Sequence, residues 1–202
     1  NAYFLNINEG VFHQDNNRLL HEKSLIIASQ KNPENFGPLY RIYHESIYRY
    51  ICNRIDCIDK ASDITSMVFM KALLNIKKYE YRGLPFSSWL FRIAKSELNQ
   101  SFRNKKAKRT VSIDKVCLGE VIEDIVVDES EKNIKQLLLT LSRLKNSQVE
   151  LIEMRYFEKR SYREIGEILD ITENNAKVKT FRALKKLRKN FKESNIETKK
   201  TK

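Results

Sequence analysis

The sequence predicts an all-α protein built as two small helical domains joined by an extended acidic linker. Three observations lead there. Among 202 residues only 5 are Gly and 3 are Pro, while Leu, Ile, Lys and Glu abound, a balance that favours helices over turns. Apolar residues recur at three- and four-residue intervals in several separate stretches, the period of one helix face. Charge comes in blocks, basic, then acidic, then basic, and the acidic block has no helical period. A chain of this length with 41% hydrophobic residues can bury one medium core or two small ones.

Residues 1–34 form a polar N-terminal extension with weak periodicity, expected to hold a helix from about Leu19 to Ser29 and disorder before it. The first domain is expected over residues 35–108. From Pro38 to about Ile55, Leu39, Ile42, Tyr43, Ile47, Tyr50 and Ile51 follow helical spacing. Asp59 or Ser62 is placed to cap a second helix, whose stripe is Ile64, Val68, Phe69, Ala72, Leu73 and Ile76. Gly83 and Pro85 break "YRGLPF" into a loop. A helix resumes over Ser87–Arg103, with Ser87 or Ser88 as cap and Trp89, Leu90, Ile93, Ala94 and Leu98 facing inward.

Residues 109–132 read as the extended linker. The last domain spans 133–191 and opens with a stripe of Leu137, Leu138, Leu141 and Leu144. Ser147-x-x-Glu150 and Ser161-x-x-Glu164 have the capping-box spacing. Thr172 is placed to cap a last helix running to about Phe191, followed by a basic, frayed tail over 192–202.

Net charge is +12, which suits a polyanionic partner, nucleic acid or membrane surface. Its distribution decides between them. Residues 71–109 hold eleven Lys or Arg against Glu80 and Glu97, and residues 159–202 hold fourteen against six acids. The intervening 110–136 is rich in Asp and Glu. A membrane-binding protein has no need of that alternation. No apolar run approaches the roughly 20 residues that span a bilayer, and no signal peptide opens the chain, so a cytoplasmic location is expected. Cys52, Cys57 and Cys117 lack metal spacing, His13, His21 and His44 form no triad or metal pattern, and no Gly-rich phosphate loop occurs. Neither catalysis nor a metal or cofactor is expected.

"SYREIGEILDITENNAKVK" (Ser161–Lys179) has the form of a helix-turn-helix. Gly166 sits where two helices must approach closely, although Ala would be the commoner choice, since Gly costs about 0.8–1 kcal/mol in a helix. Asp170 occupies a turn position suited to left-handed backbone. Ile171 is expected to plug the core between the helices. In the second helix Ala176, Thr180, Ala183, Leu187 and Phe191 share one face, with Leu184 at its margin. The opposite face carries Asn174, Val178, Arg182, Lys185 and Lys189, flanked by Asn175, Lys179 and Phe181. Amides and guanidinium groups bond directionally to base edges, a Val methyl can meet a thymine methyl, and lysines attract phosphate.

Both blocks resemble the sigma factors of bacterial RNA polymerase, specifically the small two-domain extracytoplasmic-function (ECF) group of the sigma-70 family. About residues 36–108 resemble sigma domain 2, on "LYRIYHESIYRYI", "SDITSMVFMKAL" and "FSSWLFRIAKSELNQSFR"; residues 133–191 resemble sigma domain 4, on "REIGEILDITENNAKVKTFRALKKLRK". The resemblance implies that Asp63, Ile64, Met67, Val68, Phe69 and Leu73 dock on core polymerase, with Ser66 and Met67 standing where the family commonly has Gln and Glu. It implies −10 element capture by Tyr81, Arg82, Phe86, Arg92, Lys95, Asn99, Gln100 and Arg103, with Tyr81 holding a flipped-out base. Trp89 matches a family aromatic and is expected in the core. It assigns −35 reading to Asn174, Asn175, Lys177, Val178, Lys179, Arg182 and Lys185.

By the same resemblance the acidic linker threads a basic channel later occupied by RNA; a plain spacer is the other reading. The implied partners are core RNA polymerase, promoter DNA and an anti-sigma factor, with a monomer expected when the chain is free. The competing reading is a stand-alone helix-turn-helix activator or repressor, which would bind an operator alone and usually as a dimer.

Overall fold

The computed structural model describes residues 16–104 and 131–200, and among these every regular element is helical. In order they are α1 (Asn16–Lys31), α2 (Gly37–Cys52), α3 (Ile58–Asn75) and α4 (Phe86–Arg103), then α5 (Glu131–Ser142), α6 (Asn146–Ile152), α7 (Tyr162–Leu169) and α8 (Glu173–Lys200). The linker expected over 109–132 lies almost entirely outside the described residues.

The first bundle forms because each helix has a stripe to bury. Leu39, Ile47 and Ile51 of α2, Val68 and Ala72 of α3, and Phe86, Leu90, Phe91 and Ala94 of α4 are fully buried. Each large side chain among them contributes roughly 1.5–3 kcal/mol by leaving water. Helix α1 supplies Ile26 to the same cluster, so it is a fourth wall of the bundle and not an outlying extension. Lys71 Nζ donates to Glu97 Oε1 at 2.5 Å and ties α3 to α4.

Helix starts differ from expectation in three places. Cys57 precedes α3 without a side-chain cap, and Asp59 lies in its first turn, where a carboxylate favours the helix dipole. Ser87 and Ser88 are buried inside α4, and its first N–H, that of Phe86, donates instead to the Glu22 carboxylate of α1 at 2.9 Å. Helix α6 begins at Asn146, with the Lys145 N–H donating to Gln148 Oε1 at 3.2 Å, so Ser147 and Glu150 are not its cap. At the other end of the chain, α8 continues past Phe191 to Lys200.

The helix-turn-helix forms as its sequence predicts. Glu164 N–H donates to Ser161 Oγ at 3.2 Å and Ser161 N–H to Glu164 Oε2 at 2.9 Å, closing the capping box. Asp170 takes φ 57° and ψ 48°, the left-handed region. Asn175 N–H donates to Thr172 Oγ1 at 3.2 Å and starts α8. Gly166 lies so close to the turn that an added Cβ would stand 2.7 Å from Ile171 O. Leu137, Leu141, Leu144, Val149, Ile152, Ala183, Leu184, Leu187 and Phe191 make the second core.

The two halves also pack on each other. Leu151, Met154, Ile165, Ile168 and Ala176 join the apolar cluster of the first bundle. Arg54 Nη2 donates to Glu153 Oε2 at 2.6 Å, with both side chains only 5% exposed. The Arg54 guanidinium lies 3.6 Å from the Tyr50 ring centroid. Arg160 sits 4.2 Å from the Phe91 centroid and donates to Ser87 Oγ at 2.7 Å.

Candidate nucleic-acid interface

Helix α8 buries Ala176, Thr180, Ala183, Leu184 and Leu187 against the rest of the molecule. That registers Asn174, Asn175, Lys177, Val178, Lys179, Arg182 and Lys185 outward, and all seven are exposed. Val178 is 38% and Phe181 62% exposed, so apolar contact groups stand among the amides and cations. The helix thus offers bidentate donors, a methyl-bearing side chain and phosphate-binding charge along one side.

A second candidate surface surrounds the loop between α3 and α4. A cleft of about 300 Å³ is lined by Tyr79, Arg82, Leu84, Pro85, Trp89 and Arg92, among others. Trp89 is half-buried and packs on Tyr79 with ring centroids 4.8 Å apart, so it both lines the cleft and seals the core beneath. Tyr81 is half-buried, with Lys23 Nζ 5.6 Å from its ring centroid. Arg82, Arg92, Asn99, Gln100 and Arg103 are exposed, and Lys95 is half-buried. Phe86 is fully buried, with Tyr79 and Trp89 ring centroids 5.2 and 5.3 Å away. It therefore cannot touch DNA and supports the cleft from below.

Helix α1 holds this loop at both ends, a role absent from the sequence reading. Gln30 Nε2 donates to Ile76 O at 3.1 Å and to Tyr79 O at 2.7 Å. Glu22 accepts from Phe86 N–H and from the Tyr43 hydroxyl. Burial raises the Glu22 pKa above its ordinary 4.5, and the Phe86 hydrogen bond opposes that in part. No periodic signal marks Glu22 or Gln30, because a polar residue on a weakly amphipathic helix reads as solvated.

The cations beside the cleft have partners within the chain. Arg92 lies 3.6 Å from Glu167 and 4.0 Å from Asp170, Arg82 lies 3.9 Å from Glu167, and Lys95 lies 3.8 Å from Glu150. All three acids belong to the second domain. Arg163 Nη2 also donates to Arg82 O at 3.2 Å.

On α3 the expected docking residues divide. Ile64, Val68 and Phe69 are buried and build the helix's seat on the core, so they are not contact residues, and Leu73 is half-buried. Asp63 is exposed, and Met67, Met70 and Leu74 are 39%, 47% and 72% exposed. They lie four, three and four residues apart, a second stripe on the outer face. Tyr40 of α2 is also 41% exposed, with its ring centroid 4.8 Å from that of Phe69. Met70 and Leu74 escaped the sequence reading, although their spacing from Asp63 and Met67 carries the signal. Among the described residues no cluster of three His, Cys, Asp or Glu could hold a metal ion. No described helix is long and apolar enough to cross a membrane.

The model of Sigma-70 region 2 matches residues 39–108, and that of Sigma-70 region 4 matches residues 134–187, together more than half of the chain. ECF RNA polymerase sigma factor SigM of Bacillus subtilis is 26% identical over 152 residues, covering 74% of this chain and 91% of SigM. SigW of the same organism is 27% identical over 185 residues, covering 85% of this chain and 97% of SigW. BldN of Streptomyces coelicolor is 28% identical over 162 residues, 79% of this chain but only 61% of BldN. In fold, the chain is similar to CnrH in complex with the cytosolic domain of CnrY, at TM-score 0.58, 18% identity, and coverage of 82% of this chain and 94% of that one. It is also similar to the sigma factor RpoE in complex with the anti-sigma factor NepR from Bartonella quintana, at TM-score 0.54, 18% identity, and coverage of 79% and 98%. The chain belongs to the sigma-70 family of RNA polymerase sigma factors, in its extracytoplasmic-function group.

Proposed function

We propose that this chain is a promoter-specificity subunit of bacterial RNA polymerase, which directs initiation by recognising −10 and −35 elements and aiding promoter melting. It catalyses nothing itself. The observation that carries this reading is the presence in one chain, in family order, of two different DNA-competent surfaces and an apolar docking face. The α8 face suits base edges in a duplex major groove. The aromatic and cationic cleft lined by Tyr79, Trp89, Arg82 and Arg92 suits an unstacked base, whose capture on aromatic rings offsets the stacking lost on melting, about 1–3 kcal/mol per base. The outer stripe of α3, with Met67, Met70 and Leu74, suits the polymerase.

The partners are therefore core RNA polymerase, promoter DNA and, by analogy with the NepR-bound neighbour, an anti-sigma factor; the compartment is the cytoplasm. A stand-alone repressor is not favoured, because the first domain matches the region 2 model over residues 39–108. The test is DNA binding with and without core polymerase. A fluorescent promoter duplex should bind weakly to the chain alone and tightly to the mixture. Tight, symmetric binding by the chain alone would overturn the reading.

A further inference from the structure

We propose that helix α1 belongs to the base-capturing apparatus, with Gln30 and Glu22 as positioning residues that preset the −10 cleft for an unstacked base. Their role rests on the functional reading above, which gives neither residue a task. A helix leaves backbone groups without internal partners at its ends, carbonyls at the C-terminus and N–H groups at the N-terminus. The loop between α3 and α4 begins at one such end and finishes at another. Both ends are capped from α1.

At the first end, the Tyr79 N–H donates to Ile76 O at 3.0 Å and closes a turn that follows α3. Gln30 Nε2 spans this turn, donating to Ile76 O at 3.1 Å and to Tyr79 O at 2.7 Å. The amide nitrogen carries two hydrogens, so it can serve both carbonyls at once. At the second end, Glu22 Oε2 accepts from the Phe86 N–H at 2.9 Å, where its carboxylate also faces the positive end of the α4 dipole. Between these anchors the loop has little of its own to hold it. Glu80, Arg82 and Gly83 are exposed, and Gly83 takes φ 69°.

The anchored residues are the ones that shape the cleft. Tyr79 and Trp89 line it, and the rings of Tyr79, Phe86 and Trp89 stand 4.8–5.3 Å from one another. Fixing the backbone of Tyr79 and Phe86 therefore fixes this aromatic wall. A wall ordered before DNA arrives spares base capture the cost of ordering it. Helix α1 has a separate apolar seat, because Ile26 is buried in the bundle core. Loss of the Gln30 donors should thus loosen the loop without releasing the helix.

The test uses holoenzyme assembled from core polymerase and the full chain. Gln30→Met keeps the size of the side chain and removes both donors; Gln30→Asn falls short by one methylene. Lys31→Met, at an exposed neighbour, is the control. Anisotropy reads the affinity of a fluorescein-labelled single-stranded −10 oligonucleotide, intact and with an abasic site at each position in turn. Wild type and control should lose about 5- to 150-fold in affinity when the captured base is missing, the worth of one stacked base. In both Gln30 variants that ratio should fall below half the wild-type value, while core binding and affinity for a −35 duplex stay unchanged. If Gln30→Met loses its helical circular dichroism, Gln30→Asn decides alone. A folded variant that keeps half or more of the ratio overturns the proposal, as does a ratio that falls only together with core binding or falls equally in the control. A wild type indifferent to every abasic site would count against base capture itself, and so against the functional reading. A sensitive wild type with equally sensitive variants sinks the positioning role alone.

Discussion

Replacing Gly166 with Ala distinguishes what composition suggests from what packing demands. Inside a helix the exchange ordinarily favours folding by about 0.8–1 kcal/mol. Here the new Cβ would lie 2.7 Å from Ile171 O and 3.4 Å from Glu173 N. The obstruction is backbone, and that backbone is held on both sides. Ile171 N–H donates to Gly166 O at 2.9 Å, and Asn175 N–H donates to Thr172 Oγ1 at 3.2 Å. The turn must retreat by about 0.7 Å to restore an ordinary contact of 3.4 Å. Overpacking of this kind costs about 1–3 kcal/mol, which leaves a net loss of about 1 kcal/mol after the helix gain. Thermal unfolding followed by circular dichroism should show a melting point lower by about 2–4 °C. Because the same turn sets the direction of α8, −35 discrimination should fall with it. An alanine variant as stable as the wild type would refute the close approach.

Three further outcomes are expected. Arg182→Ala should relax discrimination at one base pair by about 1–3 kcal/mol, whereas Lys185→Ala should weaken all sequences alike and lower the salt slope by about 0.9; competition binding by holoenzyme at several salt concentrations separates them. Met70→Asp should abolish polymerase binding in a pull-down while leaving the melting point nearly unchanged, whereas Val68→Asp, at a fully buried site, should unfold the first bundle. Burial raises the Glu22 pKa above 4.5, so its favourable contribution is complete at lower pH and fades as pH rises through the folded value. The melting-point advantage of Glu22→Gln over wild type should accordingly grow from about pH 4.5 upward; a constant gap would contradict that linkage.

What the sequence made legible was whatever repeats or caps. The stripes of α2, α3 and α8, the Ser161–Glu164 box, the left-handed Asp170 and the exposed Arg182 face all follow from local rules, although Ile42, expected in the α2 stripe, is 45% exposed. What it hid depends on partners distant in sequence. Phe86 looks like a DNA-facing aromatic until Tyr79 and Trp89 close around it. Ser87 looks like a cap, yet α4 is capped from α1 by Glu22, 64 residues away. Ile64, Val68 and Phe69 share a docking motif with Met67, but only burial tells which of them faces outward. Arg54 and Glu153 lie 99 residues apart, and neither carries any sign of the bond between them.

The central claim is that this chain confers promoter choice on polymerase, and transcription in vitro tests it most directly. Core polymerase, the purified chain and fragmented genomic DNA should yield transcripts whose mapped starts share a common −10 and −35 pair upstream. Transcripts no different from those of core polymerase alone would contradict the claim.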